Sequence, residues 1–224
     1  MNRGKLAVQA LVKFLLGLVF AGAMLFLPAG SLQYHNGWLF LALLFIPIFI
    51  LGMVLLLKAP ALLEKRLNAK EKENEQKSVV AISGLLFFAG FVVAGLDFRF
   101  GWSSVPTWVV VVASAVLLIS YALYAEVMRE NAYLSRTVEI QDGQTVVDTG
   151  LYGIVRHPMY AVTIWLFLSV PLVLGSWWAL LCFIHYPILM VFRIRNEEQV
   201  LETGLNGYAD YKKRVKYRLF PFVW

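Results

Sequence analysis

Trp38–Leu57 reads WLFLALLFIPIFILGMVLLL, twenty residues without a single charge. A helix needs about 20 apolar residues to cross the hydrocarbon core of a bilayer, so this stretch alone places the chain in a membrane. Working outward, five more apolar runs follow the same logic: Leu6–Leu27 (interrupted by Lys13), Val79–Leu96, Val105–Ala125, Met159–Leu174 and Trp177–Phe192. The last two have 16 residues each and are joined by Gly175-Ser176, which reads as a tight helical hairpin of short or tilted helices. Pro47, Pro171 and Pro187 fall inside runs, where lipid-embedded helices accommodate a kink. Arg3 and Lys5 ahead of the first run, with Pro28-Ala29-Gly30-Ser31 behind it, also fit a cleaved leader. The expectation is that the run is kept as a span.

Composition agrees. The 224 residues are 60% hydrophobic and 15% charged, against about 25% charged for a soluble domain. One cysteine, Cys182, excludes an internal disulfide and a cysteine-rich zinc site. His35, His157 and His185 have no ligand spacing, so no metal is expected. The net charge of +6 could suggest nucleic acid. Instead, nineteen of the 20 Lys and Arg fall at the N-terminus, in alternate loops and in the tail, leaving only Arg99 on the other side. The positive-inside rule then puts both termini in the cytoplasm. The expected fold is all-α and integral to the membrane, with about six transmembrane helices. Residues 1–127 hold the first four, and residues 128–224 hold a cytoplasmic loop, the helical hairpin and a cytoplasmic tail. No repeat relates the two halves, which argues against a transporter.

Polar variety is concentrated in the second part. Thr137–Gln141 and Gln144–Asp148 alternate around Asp142-Gly143, a hairpin signal. The mixed-charge run Glu64–Lys77 reads as a solvated helix extension. Pro158 opens the fifth span, so Arg156 and His157 sit at a helix N-terminus. Two basic side chains are disfavoured there unless an anion is near. Arg193–Glu198 continues the sixth span into water, and the tail mixes Tyr208, Tyr211 and Lys212-Lys213-Arg214 with Phe220–Trp224, the pattern of an interfacial anchor. His185 lies within the sixth run, where a histidine bonded to a neighbouring helix is the simplest reading.

Taken in order, Gly150-Leu151-Tyr152, Arg156-His157-Pro158-Met159-Tyr160, Glu197-Glu198 and Tyr208-Ala209-Asp210-Tyr211-Lys212-Lys213-Arg214-Val215 resemble the isoprenylcysteine carboxyl methyltransferase family. The likeness covers roughly 131–222. The related phospholipid N-methyltransferases share the paired glutamates. The resemblance implies an S-adenosylmethionine site enclosed by the last two spans, the preceding loop and the tail. In it Gly150, Tyr152, His157, Tyr160, Glu197 and Glu198 would bind the cofactor. Arg156, His157 and Arg195 would serve catalysis, Arg156 or Arg195 holding an acceptor carboxylate. One glutamate would meet the cofactor's ammonium or ribose, and the Arg156-His157 corner its carboxylate. The implied activity is methylation of a lipidic acceptor, above all the carboxylate of an isoprenylcysteine. A phospholipid amine or a small thiol is the alternative acceptor. Expected partners are that lipidic substrate and membrane lipids, with no nucleic acid and no metal. A rival class is the NADPH-dependent membrane sterol or enone reductases, which share an Arg-His-Pro-type helix start. They usually carry an arginine-aspartate pair where this chain has Asn196-Glu197-Glu198.

Overall fold

The structure, a computed structural model, describes residues 2–68, 74–134 and 140–224. Nine α-helices are found among them: α1 Arg3–Ala29, α2 His35–Lys58, α3 Pro60–Asn68, α4 Asn74–Phe100, α5 Thr107–Glu130, α6 Pro158–Val173, α7 Trp177–Phe183, α8 Tyr186–Gly204 and α9 Tyr208–Arg214. A 3-10 turn at Gly150–Gly153 precedes α6. No strand occurs among the described residues.

Five segments are long and apolar enough to cross a membrane: Arg3–Ala29, His35–Lys58, Lys77–Phe100, Thr107–Glu130 and Trp177–Gly204. The chain is an integral membrane protein. α6 has 16 residues and is shorter than these, reaching about 24 Å at 1.5 Å per residue. Val19, Phe20, Ile46, Ile50, Trp108 and Val111 are exposed along the long helices, as lipid-facing side chains must be where the solvent is itself apolar.

The apolar run Trp177–Phe192 divides into two helices. α7 stops at Phe183 and α8 begins at Tyr186. Pro187 is the cause: it has no N–H to give, and its ring opposes the carbonyl four residues back, that of Phe183. His185 sits in this break as the residue before α8, exposed and making no capping hydrogen bond. The break lets α7 lean on α4 while α8 runs toward the site.

α4 is the central post. Gly95 brings it onto α1 so closely that a Cβ there would lie 2.6 Å from the Leu25 carbonyl oxygen. Gly90 receives the Phe183 ring of α7 in the same way. Small residues permit such approach in membrane helices. Leu25, Phe40, Ala94, Leu117, Val173 and Phe183 form the core around this post. At one end, buried Asp97 accepts hydrogen bonds from the Ser103 amide (2.7 Å), the Ser103 hydroxyl (2.6 Å) and the Ser176 hydroxyl. Ser176 also caps α7 by accepting from the Ala179 amide. One carboxylate thus ties the α4–α5 turn to the α6–α7 turn.

The other end carries the loop, α9 and the tail. Residues 69–73 of the mixed-charge run and 137–139 of the expected hairpin lie outside the described residues. Within 140–148 the Asp142-Gly143 turn forms, with the Gln144 amide donating to Gln141 O at 3.0 Å, but no strand follows it. Side chains hold this loop instead: the Tyr133 hydroxyl donates to Gly143 O and the Gln141 side-chain amide to Tyr133 O.

Candidate active site

Two short pieces of chain meet at the start of α6. The Arg156 amide donates to Tyr217 O and the His157 amide to Arg218 O, both at 2.9 Å. The tail therefore folds back beside the Arg-His-Pro turn and satisfies the amides of the two residues ahead of α6. Leu219 then packs with Tyr160, Ile164, Met190 and Ile194, fixing the tail against α6 and α8.

The Arg156 guanidinium is buried in this junction. Its Nε donates to Glu198 Oε1 at 2.7 Å, and its Nη1 donates to Val215 O and Lys216 O at 2.7 and 2.9 Å. His157 Nε2 lies 3.3 Å from the same Glu198 oxygen. Arg218 Nε donates to Glu198 Oε2 at 2.8 Å. The anion that the basic helix start requires is therefore the protein's own Glu198, only 3% exposed. Three partners, two just ahead of α6 and one on the tail, converge on one carboxylate, a charge-assisted knot.

Glu197 points elsewhere. Neighbours on a helix are about 100° apart, and Glu197 lies on the wall of a cavity that Glu198 does not line. It accepts a short hydrogen bond from the Tyr160 hydroxyl, which in turn accepts from Arg193 Nε at 3.0 Å. Arg193 is buried beside the Tyr160 ring. The chain Arg193, Tyr160, Glu197 fixes the direction of the cavity's carboxylate.

The cavity encloses about 830 Å³ of empty space, its mouth included. Arg156, His157, Tyr160 and Glu197 form one side, with Tyr152, Tyr208 and Tyr211 beside them; Val146, Leu201 and Leu205 supply an apolar part. Tyr152 is held from both ends, its hydroxyl accepting from Asn131 Nδ2 (3.0 Å) and its carbonyl from the Tyr211 hydroxyl (2.7 Å). Burial pushes the Tyr152, Tyr208 and Tyr211 hydroxyls above the ordinary phenol range, and at Tyr208 the charges of Glu198 and Glu197 push further. All three are neutral hydroxyls. The Tyr208 hydroxyl is buried and has no hydrogen-bond partner among the described residues.

Of the residues expected from the sequence, Tyr152, Arg156, His157, Tyr160 and Glu197 share this cavity, and Glu198 stands behind it. Gly150 is not on the wall. It adopts φ +53° where the chain presses on Glu130, whose carboxyl carbon would be 2.8 Å from an added Cβ. Arg195 is exposed on another flank of α8, in a groove facing α4. Sequence reasoning passed over Asn131, Arg193, Tyr208 and Arg218. Tyr208 stood within the quoted tail motif, while Arg218 carried no signal beyond its charge. No cluster of three or more His, Cys, Asp or Glu side chains suited to a metal occurs among the described residues.

Residues 106–203 match the model of the isoprenylcysteine carboxyl methyltransferase (ICMT) family. The match supports an assignment to that family. It takes in α5 through most of α8, and leaves out α9 and the tail that close the cavity. The chain is also 31% identical over 91 residues to the Mus musculus Delta(14)-sterol reductase TM7SF2, a stretch covering 39% of this chain. It spans 22% of the length of that curated relative. Among solved structures, the eukaryotic intramembrane Ras methyltransferase ICMT aligns over 99% of this chain and 98% of its own, at 16% identity and a TM-score of 0.49.

Proposed function

We propose that this protein is an S-adenosylmethionine-dependent membrane methyltransferase that methylates the carboxylate of an isoprenylcysteine. The observation that carries the reading is the buried Tyr208 hydroxyl without a partner among the described residues, on the wall of a cavity that also presents Glu197. A buried polar group left unsatisfied costs about 1–3 kcal/mol, so this one calls for a ligand with a polar edge.

The residues suit the proposed cofactor. Glu197 offers a carboxylate to an ammonium, Tyr208 and Tyr152 offer neutral hydroxyls to polar edges, and Val146, Leu201 and Leu205 offer apolar contact to a base. S-adenosylmethionine supplies a methyl group on a sulfonium when bound. The chain's part is to orient and to exclude water. Arg193 and Tyr160 hold Glu197 in one direction, and the Glu198 knot keeps the tail folded over the site. A carboxylate acceptor needs no general base, so positioning carries the chemistry; near-attack geometry is worth about 7–11 kcal/mol. An amine or thiol acceptor would need a proton removed, and His157 is the cavity's candidate for that task.

On this reading α6 is a sixth crossing, α6 and the α7–α8 pair form the hairpin, and both termini and the site face the cytoplasm. The likeness to the mouse sterol reductase, beside the Arg-His-Pro-type helix start, favours an NADPH-dependent reductase instead. Tritiated S-adenosylmethionine with membranes and a farnesylcysteine analogue separates these readings. Base-labile label in the prenyl product is expected. Label confined to base-stable lipid, or no transfer alongside NADPH consumption on an enone sterol, overturns the proposal.

A further inference from the structure

α8 has two occupied flanks. One lines the cavity through Glu197, Val200 and Leu201. The other faces α4 across a groove with about 1,090 Å³ of empty space, lined by Ser78, Val79 and Ile82 of α4 and by Leu189, Phe192, Arg195, Asn196 and Gln199 of α8. The two helices contribute in opposite order. α4 passes from polar to apolar as it leaves Ser78 for Ile82, and α8 passes from apolar to polar as it leaves Leu189 for Gln199. The gradients coincide, so the groove is polar at one end and apolar at the other. Both walls belong to segments apolar enough to span the membrane, Lys77–Phe100 and Trp177–Gly204. The polar end thus begins where the α4 span begins, at headgroup depth.

Arg195 stands at that polar end. It is exposed, it makes no ion pair or hydrogen bond among the described residues, and no carboxylate among them lines the groove. Aqueous ligands would not fill the apolar end, and a neutral lipid would leave the guanidinium without its counter-charge. A basic residue at the head of a cleft between membrane helices is the arrangement that recognises anionic lipid headgroups, and guanidinium–phosphate pairs are strong because two N–H groups engage at once.

We propose that the α4–α8 groove is a binding site for one anionic phospholipid. An acyl chain lies on Val79, Ile82, Leu189 and Phe192, and the headgroup phosphate pairs with Arg195. The site goes beyond the methyl-transfer reading and does not depend on it, since the groove and the cavity lie on different flanks of α8. The lipid would brace the helix that carries Glu197 without entering the cavity.

The test uses the full-length protein reconstituted in vesicles of four parts phosphatidylcholine to one part phosphatidylglycerol. After detergent extraction and extensive washing, retained lipid per protein is counted by mass spectrometry. The wild type is expected to keep phosphatidylglycerol in excess of its share of the vesicle. Arg195→Gln should keep about fivefold less, the factor for one basic residue at an anionic surface, while Arg195→Lys keeps most of it. Ile82→Trp, which fills the apolar end, should lose the lipid with Arg195 intact. Monodisperse gel filtration marks the variants as folded. Retention at the vesicle ratio by the wild type, or equal phosphatidylglycerol in wild type, Arg195→Gln and Ile82→Trp, overturns the proposal.

Discussion

At the scale of residues, the twin glutamates divide two tasks. Glu198 is enclosed by Arg156, His157 and Arg218, and removing one member of a buried ion pair costs about 3–5 kcal/mol. Glu198→Gln should therefore lower thermal stability strongly and free the tail, read as a fall in Tm and as new proteolytic cleavage within 215–224. An unchanged Tm would show that the knot does not hold the tail. Tyr208→Phe removes only an unsatisfied hydroxyl, so Tm should hold or rise while affinity for S-adenosylmethionine drops about tenfold, the loss of one hydrogen bond of about 1.4 kcal/mol. Equal affinity in the two proteins would remove Tyr208 from the site. The Arg-His-Pro and Glu-Glu pairs were legible in the sequence because they sit together as motifs. Which glutamate faces the cavity was not, because it depends on a rotation of about 100° between adjacent positions and on an arginine, Arg218, brought in from the tail.

At the scale of elements, α4 organises the bundle through its glycines. Gly95→Leu forces α1 away from α4, where the Leu25 carbonyl and the Pro28 side chain already touch the site of a Cβ. The expected outcome is a protein that inserts into the membrane but loses several degrees of Tm in detergent, with α1 newly accessible to protease near Ala29. A Tm equal to wild type would mean that the helices do not pack at this point. Long apolar runs announced α2, α4 and α5 plainly, and α1 with a cleaved leader as the alternative. The sixth run read as one helix because its composition is uniformly apolar, and only the position of Pro187 relative to Phe183 explains why it is two. The Asp142-Gly143 signal did mark a turn, but no strand follows it within 140–148, where the Gln144 and Tyr133 side chains bond the Gln141 amide and the Gly143 carbonyl.

For the whole molecule, the distribution of Lys and Arg is the basis of the proposed orientation. Among the described residues, the Asp97–Ser103–Ser176 end carries only Arg99 nearby, while Arg156, Arg218 and the basic tail gather at the cavity end. With Cys182→Ser as background, Ser104→Cys in intact cells should react with an impermeant maleimide, and Thr203→Cys should react only after permeabilisation. The reverse pattern would invert the molecule and expose the cavity to the outside. Charge counting could suggest this orientation because it needs no tertiary contact. The cavity itself needed the fold, since its walls come from the loop, α6, α8 and α9, and α9 lies beyond the segment that matches the family.

In the proposed reaction a sulfonium donor meets the Glu197 side of α8. Equilibrium binding of tritiated S-adenosylmethionine to purified wild type and Glu197→Gln, beside NADPH as a control ligand, tests this most directly. Saturable binding to the wild type is expected, with at least tenfold weaker binding to Glu197→Gln at an unchanged Tm and no binding of NADPH. Equal affinity in the two proteins, or saturable NADPH binding in place of S-adenosylmethionine, would contradict it.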